Sequence, residues 1–281
     1  MKLLRLGQPG AEKPALLDDT GTLRDLSGMI HDFDAETLSP AGLAKLRGHD
    51  PASLPALPAG GRIGPCVPRP TNFICIGLNY ADHAAESGLP IPKEPIIFLK
   101  SLGAYSGPDD DVRLPRGSKK GDWEVELAIV IGQGGDYIEE ADAYDHIAGY
   151  CVCNDVSERE YQIERGGTWD KGKGCPTFGP TGPWLVTADE VPDPHELDMW
   201  CEVDGRRMQN GSTKTMIFNV PTLVSYVSRF MTLFPGDIIS TGTPPGVGMG
   251  IKPEPVFLRP GQTVRLGISG LGEQTQKIVG G

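Results

Sequence analysis

The sequence predicts an α+β, strand-rich protein: a rolled or barrel-like main domain preceded by a small N-terminal domain. Short apolar runs alternate with turn clusters, and the 281 residues include 38 glycines and 26 prolines. Few stretches are long enough for helices. This succession favours a rolled sheet over regular strand–helix–strand units. A proline- and glycine-rich link over residues 51–70 marks a domain boundary.

The first 65 residues are expected to form the small domain. They predict a strand over residues 2–6, a hairpin around residues 18–21 and a helix near residues 41–47. Residues 66–281 are expected to form the main, catalytic domain.

The sequence of the main domain predicts eight short strands and three helices. The strands are expected over residues 73–77, 96–100, 123–131, 149–155, 184–186, 199–203, 237–240 and 263–268. The helices are expected near residues 80–87, 158–165 and 221–232.

The composition narrows the classes of partner. Hydrophobic residues make up 38% and charged residues 22% of the chain, as in ordinary globular proteins. The net charge of −11 argues against nucleic acid or an anionic membrane as partner, because either needs a basic surface. The longest apolar run, residues 127–131, is too short to span a bilayer, and residues 1–6 do not form a secretory signal. We therefore expect a cytoplasmic protein.

An acidic pair lies on the strand predicted over residues 123–131. Glu124 and Glu126 alternate with apolar residues and share their face with Ala128 and Val130. Two carboxylates on a part-buried face repel each other and resist desolvation unless a positive charge lies between them. With Asp155 from another strand, they would suit Mg²⁺ or Mn²⁺. The alternative is a solvated strand edge, which is common for such pairs.

A histidine–carboxylate pair lies on the predicted helix over residues 80–87. His83 and Glu86 are three residues apart and face the same side. A carboxylate bonded to one ring nitrogen fixes the tautomer and raises the basicity of the other, so the imidazole could take a proton from water. The alternative is a surface ion pair. The proline-rich residues 89–95 that follow suggest an exposed segment that could close over a site.

Further polar side chains cluster later in the sequence. Arg159 and Gln162 lie one turn apart on a predicted helix after Asp155 and could hold a substrate carboxylate, although an exposed arginine is the commoner outcome. Lys173 lies in a glycine-rich loop from which its ammonium could reach a pocket. Thr243 lies in the glycine-rich run over residues 241–250, which is neither a Walker loop nor a dinucleotide fingerprint.

Six motifs in order give the sequence a family resemblance over roughly residues 70–280. They read GLNYADHAAE, IIFLKS, DWEVELAIVIG, GYCVCNDVSERE, KGKGCPTFGP and TGTPPGVG. In this order they resemble the fumarylacetoacetate hydrolase family. The sequence departs from the family's common pattern at Ser101, where proline often follows the lysine, so the role of Lys100 stays open.

The resemblance implies a fold and a set of roles. It implies a mixed β-roll catalytic domain, usually a homodimer, with Mg²⁺ or Mn²⁺. Position by position, it implies that the metal ligands are Glu124, Glu126 and Asp155. It implies a catalytic dyad of His83 and Glu86 on a mobile lid, and an active-site lysine, Lys173. The implied substrate contacts are Arg159, Gln162 and Thr243.

Within the family, the sequence is most similar to acylpyruvate and 2,4-diketo-3-deoxy sugar acid hydrolases and to ureidoglycolate lyases. The resemblance therefore implies cleavage of a 2,4-diketo acid to pyruvate and an acid. A keto acid decarboxylase, an isomerase or tautomerase, or a ureidoglycolate lyase would use the same metal-enolate chemistry. A non-catalytic, metal-dependent 2-oxo acid binding protein is the more distant alternative.

Overall fold

The computed structural model describes residues 1–281 and is a strand-rich, mixed α/β structure. Its strands, numbered in chain order, are β1 Lys2–Leu6, β2 Lys13–Leu17, β3 Leu23–Asp25, β4 Phe73–Gly77, β5 Ile96–Leu99, β6 Tyr105–Ser106, β7 Val112–Leu114, β8 Gly121–Asp122, β9 Val125–Ile131, β10 Ile147–Asn154, β11 Ser157–Glu158, β12 Gly179–Thr187, β13 Asp198–Val203, β14 Arg206–Ser212, β15 Ile238–Ser240, β16 Thr263–Ile268 and β17 Gly272–Gly280.

The helices are short and lie between the strands. The α-helices are α1 Ala35–Leu38, α2 Pro40–Arg47, α3 Ala81–Ser87, α4 Asp170–Lys173 and α5 Val220–Ser228. Single 3-10 segments cover Pro51–Ser53, Glu140–His146, Ala188–Glu190, Thr213–Thr215 and Gly248–Gly250, and a π-helical segment covers Glu160–Glu164. No helix combines the length and apolar character needed to cross a bilayer.

Two large sheets organise the protein. The main sheet has the order β3-β2-β1-β12-β10-β9-β15-β4-β5, and β6 pairs with β12. The second sheet has the order β14-β13-β16-β17-β7, and β8 and β11 form a separate pair. Both large sheets are open. The expected barrel-like closure is therefore wrong, because the end strands of each sheet do not pair with each other.

Strand β9 is buried on both of its faces. Val125, Leu127 and Ile129 belong to a core that also contains Val264 and Leu266 of β16. Ala128 and Val130, on the other face, belong to a second core with N-terminal residues including Leu3, Phe33 and Leu43. The carboxylates that share this second face cannot be a solvated strand edge, because the sheet is covered on both sides.

The N-terminal strands extend the main sheet, since β1 pairs antiparallel with β12. The expected strand over residues 2–6, the hairpin around residues 18–21 and the helix near residues 41–47 are all present. The domain boundary at residue 65 stays a prediction.

All eight strands expected in the main domain are present, and β12 is longer than expected. The sequence does not predict the long strands β14 and β17 or the short strands β6, β7, β8 and β11. The first half of β12 contains Pro180 and Pro183, and proline argues against a strand interior because it lacks an N–H. The buried face of β17 carries Gln274 and Gln276, so the strand lacks a fully apolar face. The expected helix over residues 158–165 is instead β11 followed by the π-helical segment.

Gly149 allows β10 and β12 to approach closely. A Cβ at this position would lie 2.1 Å from the carbonyl oxygen of Val186. We predict that Gly149→Ala lowers the free energy of unfolding by about 1–3 kcal/mol, because the two strands must separate. Urea unfolding would measure the loss. Gly28→Ala is the control, because its new methyl group would meet nothing within 4 Å. Equal stability of the two variants would contradict this reading.

Candidate active site

Three carboxylates meet where β9 begins and β10 ends. The antiparallel register places Cys153 opposite Glu126, and the backbone N–H of Asp155 donates to the carbonyl of Glu124 over 2.9 Å. Carboxylate oxygens of Glu124, Glu126 and Asp155 lie within 4.8 Å of one another, and all three side chains are buried. Strand pairing therefore brings together residues about thirty positions apart in the chain.

Glu126 has uncharged hydrogen-bond partners. Its Oε2 accepts a hydrogen bond from Ser240 Oγ over 2.6 Å and from the backbone N–H of Gly242 over 3.0 Å. Both donors lie at the end of β15, which pairs with β9. These bonds orient the carboxylate but supply no positive charge.

Two lysines approach Asp155. Lys173 Nζ, at the end of α4, donates to Asp155 Oδ2 over 2.8 Å and to Glu124 Oε2 over 2.6 Å. Lys100 Nζ lies 2.5 Å from Asp155 Oδ1, but it gives its hydrogen bonds to the carbonyl oxygens of Val156 and Lys173. Asp155 Oδ1 is therefore paired with Lys100 through a close ionic contact, although this contact does not have the geometry of a hydrogen bond.

Arg159 is a buried link between neighbouring acids. Its Nε donates to Asp122 over 2.8 Å, its Nη2 to Glu124 over 2.6 Å and its Nη1 to Gln162 over 2.9 Å. Asp122 also accepts from the backbone N–H groups of Gly248 and Met249. Arg159 is thus neither exposed nor free, and its role as a substrate contact stays a prediction.

The buried charges do not balance. Four carboxylates, Asp122, Glu124, Glu126 and Asp155, face three cations, Lys100, Arg159 and Lys173, which leaves one excess negative charge.

Glu126 is the one of these four carboxylates that has no ion pair. Burial raises the pKa of Glu126 well above its usual range, and the charges of Asp155 and Glu124 raise it further. Burial also acts to raise the pKa of Glu124, but Lys173 and Arg159 outweigh it and lower that pKa to about 2.

The donor set fits a divalent cation. Carboxylate oxygens are the hard ligands that Mg²⁺ and Mn²⁺ prefer. A divalent cation would offset the negative charge of Glu126, which has no cationic partner and whose pKa is raised by burial and by the neighbouring carboxylates. Glu124, Glu126 and Asp155 are therefore the residues that could hold such an ion.

The histidine pair lies on helix α3. His83 Nδ1 lies 3.2 Å from Glu86 Oε2, and the backbone N–H of Gly246 donates to the same carboxylate. Burial acts to raise the pKa of Glu86, but His83 and Gly246 outweigh it and lower that pKa. Gly88 ends the helix in the left-handed conformation. The ionised carboxylate can accept a hydrogen bond from the N–H at Nδ1, which leaves Nε2 as the nitrogen that can take up a proton.

A cavity of about 190 Å³ unites most of the predicted site residues. Its lining includes His83, Glu124, Glu126, Asp155, Arg159, Gln162, Lys173 and Thr243. Glu86 lies behind His83 and does not line it. The Thr243 hydroxyl donates to the carbonyl of Val125 and accepts from Gln209, so it is already occupied.

Sequence reasoning missed several supporting residues. Lys100 and Ser240 contact the acidic cluster, and Asp122 is linked to it through Arg159. The sequence motifs single out only Lys100, and they leave its role open. Asp122 is adjacent to the acidic strand, and a buried acid before Trp123 could have signalled an ion pair. Ser240 gave no signal, because its contact with Glu126 depends on the pairing of β15 with β9.

Comparison with known proteins identifies the family to which this fold and its acidic cluster belong. The model of the fumarylacetoacetate (FAA) hydrolase C-terminal domain matches residues 72–279. The chain therefore belongs to the fumarylacetoacetate hydrolase family.

A relative from Burkholderia cenocepacia strain J2315, whose name gives it as an inferred hydrolase, is 63% identical over 276 residues. The match covers 98% of this chain and 98% of the relative. Two solved structures match this chain over the full length of each protein. Fumarylacetoacetate hydrolase from Exiguobacterium antarcticum has 33% identity and a TM-score of 0.85. Maleylpyruvate hydrolase from Sphingobium sp. SYK-6, solved with manganese(II) and pyruvate, has 29% identity and a TM-score of 0.83.

The raised pKa of Glu126 predicts a pH-dependent stability of the metal-free protein. A carboxyl whose pKa is higher in the folded than in the unfolded state loses stabilisation as pH rises from about 4.3 through the folded pKa. Glu126→Gln keeps the oxygen acceptor for Ser240 and removes this charge. In EDTA, we expect the variant to become progressively more stable than the parent as pH rises.

Urea unfolding at a series of pH values tests this prediction. Glu139→Gln, at an exposed position, is the control and should follow the parent at every pH. The prediction is contradicted if the difference in free energy of unfolding between the parent and Glu126→Gln does not change with pH. Ionisation of the buried Glu126 would then cost the folded state no free energy.

Proposed function

We propose that the protein is a divalent metal-dependent hydrolase that cleaves the carbon–carbon bond of a 2,4-diketo acid. The products would be pyruvate and a carboxylic acid. One observation carries the proposal: a histidine whose Nδ1 contacts a carboxylate shares a cavity with three buried carboxylates and a buried lysine. A base and a cation-binding cluster within one cavity are the two parts that such a hydrolysis requires.

Glu124, Glu126 and Asp155 would hold Mg²⁺ or Mn²⁺. When bound, the ion supplies Lewis acidity toward the keto oxygens of the substrate. The manganese and pyruvate in the maleylpyruvate hydrolase neighbour support both the ion and the product class.

His83 would act as the general base. Glu86 holds the tautomer in which Nε2 takes a proton from water, and the resulting hydroxide attacks the C4 carbonyl carbon. The C3–C4 bond then breaks, its electron pair goes to C3 as the pyruvate enolate, and the other fragment leaves as the acid. Return of the proton to C3 completes pyruvate and restores His83.

Lys173 would stabilise the charge that develops on the enolate. Its ammonium lies between Glu124 and Asp155, and their charges raise its pKa against the opposing effect of burial, so it stays protonated. A fixed buried ammonium needs no reorganisation as charge appears during the reaction. Gln162 lines the same cavity, and its amide nitrogen is available to the substrate's carboxylate.

An isomerase is the second candidate, because related structures carry that activity in their names. A 5-carboxymethyl-2-hydroxymuconate delta-isomerase from Mycobacterium smegmatis is 32% identical to this chain, with a TM-score of 0.79. The match covers 100% of this chain and 99% of the isomerase. The same enolate without attack by water would give isomerisation. The contact of Glu86 with His83 favours hydrolysis, since a carboxylate at Nδ1 fixes the tautomer in which Nε2 can take a proton from water.

A substrate panel tests the proposed reaction. Acylpyruvates, oxaloacetate and a 2-hydroxydienoate would be incubated with the protein and Mn²⁺ or Mg²⁺. We expect equimolar pyruvate and acid from acylpyruvates, and metal-dependent turnover should disappear in Glu126→Gln. Full turnover by metal-free Glu126→Gln would overturn the metal assignment, while isomer formation without pyruvate would favour the second candidate.

His83→Ala tests the general base separately from the metal site. We expect kcat to fall by about 10²–10⁴-fold, because general-base catalysis contributes that range, while Mn²⁺ affinity stays near that of the parent. Pyruvate release and Mn²⁺ titration measure the two effects. His31→Ala, at an exposed position outside the cavity, is the matched control. Hydrolysis by His83→Ala at the parental rate would assign the base elsewhere.

A further inference from the structure

The cavity beyond the carboxylates has an apolar wall. Six side chains form it: Leu89, Ile96, Phe98, Ile163, Trp169 and Met249. Phe98 and Trp169 pack edge to face with ring centroids 5.4 Å apart, and Lys173 Nζ lies 5.2 Å from the centroid of Phe98. The aromatic pair therefore extends directly from the charged floor of the site.

Three members of this wall are unusually exposed for their size. Leu89 has 54%, Ile163 has 52% and Ile96 has 37% of its surface accessible, although all three line the cavity. Exposed apolar side chains gathered at the mouth of a polar site are typical of a surface that a ligand covers. The end of a bound substrate that projects from the floor would cover them.

The cavity offers no free cation to a second carboxylate. Lys173 and Arg159 are the only basic side chains in its lining, apart from His83. Lys173 is bonded to Glu124 and Asp155, and Arg159 is bonded to Asp122 and Glu124. Both lie at the floor, where the substrate's 2-oxo acid head would bind.

The cleft beside the mouth is unfavourable to an anion. It shares Arg159, Ile163 and Met249 with the cavity and adds Lys120, but also Glu164 and Glu254. Lys120 forms an ion pair with Glu164. A carboxylate entering this cleft would have to displace Glu164 and would still face Glu254.

We infer that the acyl tail of the substrate is uncharged and apolar, an alkyl or aryl group in place of a second carboxylate or a polyhydroxylated chain. The inference rests on the proposed function and deepens it. An apolar tail gains by leaving water beside Leu89, Phe98 and Trp169. A carboxylate would be desolvated there without a partner, and sugar hydroxyls would lose hydrogen bonds to water against the same side chains.

A matched substrate pair gives the first test. Succinylpyruvate and 4-methylpentanoylpyruvate have acyl tails of similar shape that differ in one carboxylate. We expect the apolar compound to have a kcat/KM at least about tenfold higher. Along straight-chain acylpyruvates, kcat/KM should rise about fourfold per methylene until the cavity is filled. Equal or faster turnover of succinylpyruvate would overturn the inference.

A charge added to the wall gives the second test. Leu89→Arg places a cation at the mouth and should raise the preference for succinylpyruvate over 4-methylpentanoylpyruvate by about tenfold or more. Ile91→Arg is the control, because Ile91 is 59% exposed, lies two residues away and does not line the cavity. A similar change of preference in both variants would show that overall charge, and not the wall, selects the tail.

Binding separates this inference from the proposed reaction. The affinities of 2-oxooctanoate and 2-oxoheptanedioate would be measured by calorimetry in the presence of Mn²⁺, which requires no turnover. Tighter binding of 2-oxooctanoate by the parent, reversed or levelled in Leu89→Arg, supports the apolar tail even if no acylpyruvate is cleaved. Tighter binding of the dioate refutes it, and absence of pyruvate from the whole panel refutes only the hydrolase.

Discussion

The site is organised around four buried carboxylates that face only three buried cations. Lys100, Arg159 and Lys173 form ion pairs with Asp122, Glu124 and Asp155, whereas Glu126 receives only neutral hydrogen bonds. Burial of an unmatched carboxylate is costly, so such an arrangement persists where a further positive charge is part of the working protein. The ion pairs also fix β9, β10 and α4 relative to one another, which makes the electrostatics of the site a constraint on its geometry.

The cavity brings together side chains from separate parts of the fold. The three carboxylates lie where β9 begins and β10 ends, Lys173 ends α4, and the His83 and Glu86 pair lies on α3. Glu86 is held by the backbone of Gly246, so the glycine-rich segment after β15 connects the helix to the site. Under the proposed function, the carboxylates would bind the keto acid head through the metal ion, and α3 would supply the group that transfers protons. The occurrence of hydrolases and isomerases among related structures is consistent with a shared floor and a variable proton path.

Substrate selection would then depend on the wall above the floor. The cations near the acids are committed to internal ion pairs, so under the proposed function they offer no site for a second anionic group of the substrate. The exposed Leu89 and Ile163 extend the apolar surface of Phe98 and Trp169 to the cavity mouth. Desolvation makes such a surface selective in one direction: it accepts an apolar tail readily and rejects a charged one.

The sequence by itself predicted the candidate site residues and most of the strands. Glu124 and Glu126 alternate on a strand, His83 and Glu86 are one helical turn apart, and these relations depend only on local periodicity. The tertiary structure decided that the sheets stay open, that Gln274 and Gln276 of β17 are buried, and that Lys100 and Ser240 join the acids. It also showed Arg159 bound to Asp122 and Glu124. These contacts link residues far apart in the chain, and strand order and register, which local patterns do not encode, decide which of them meet.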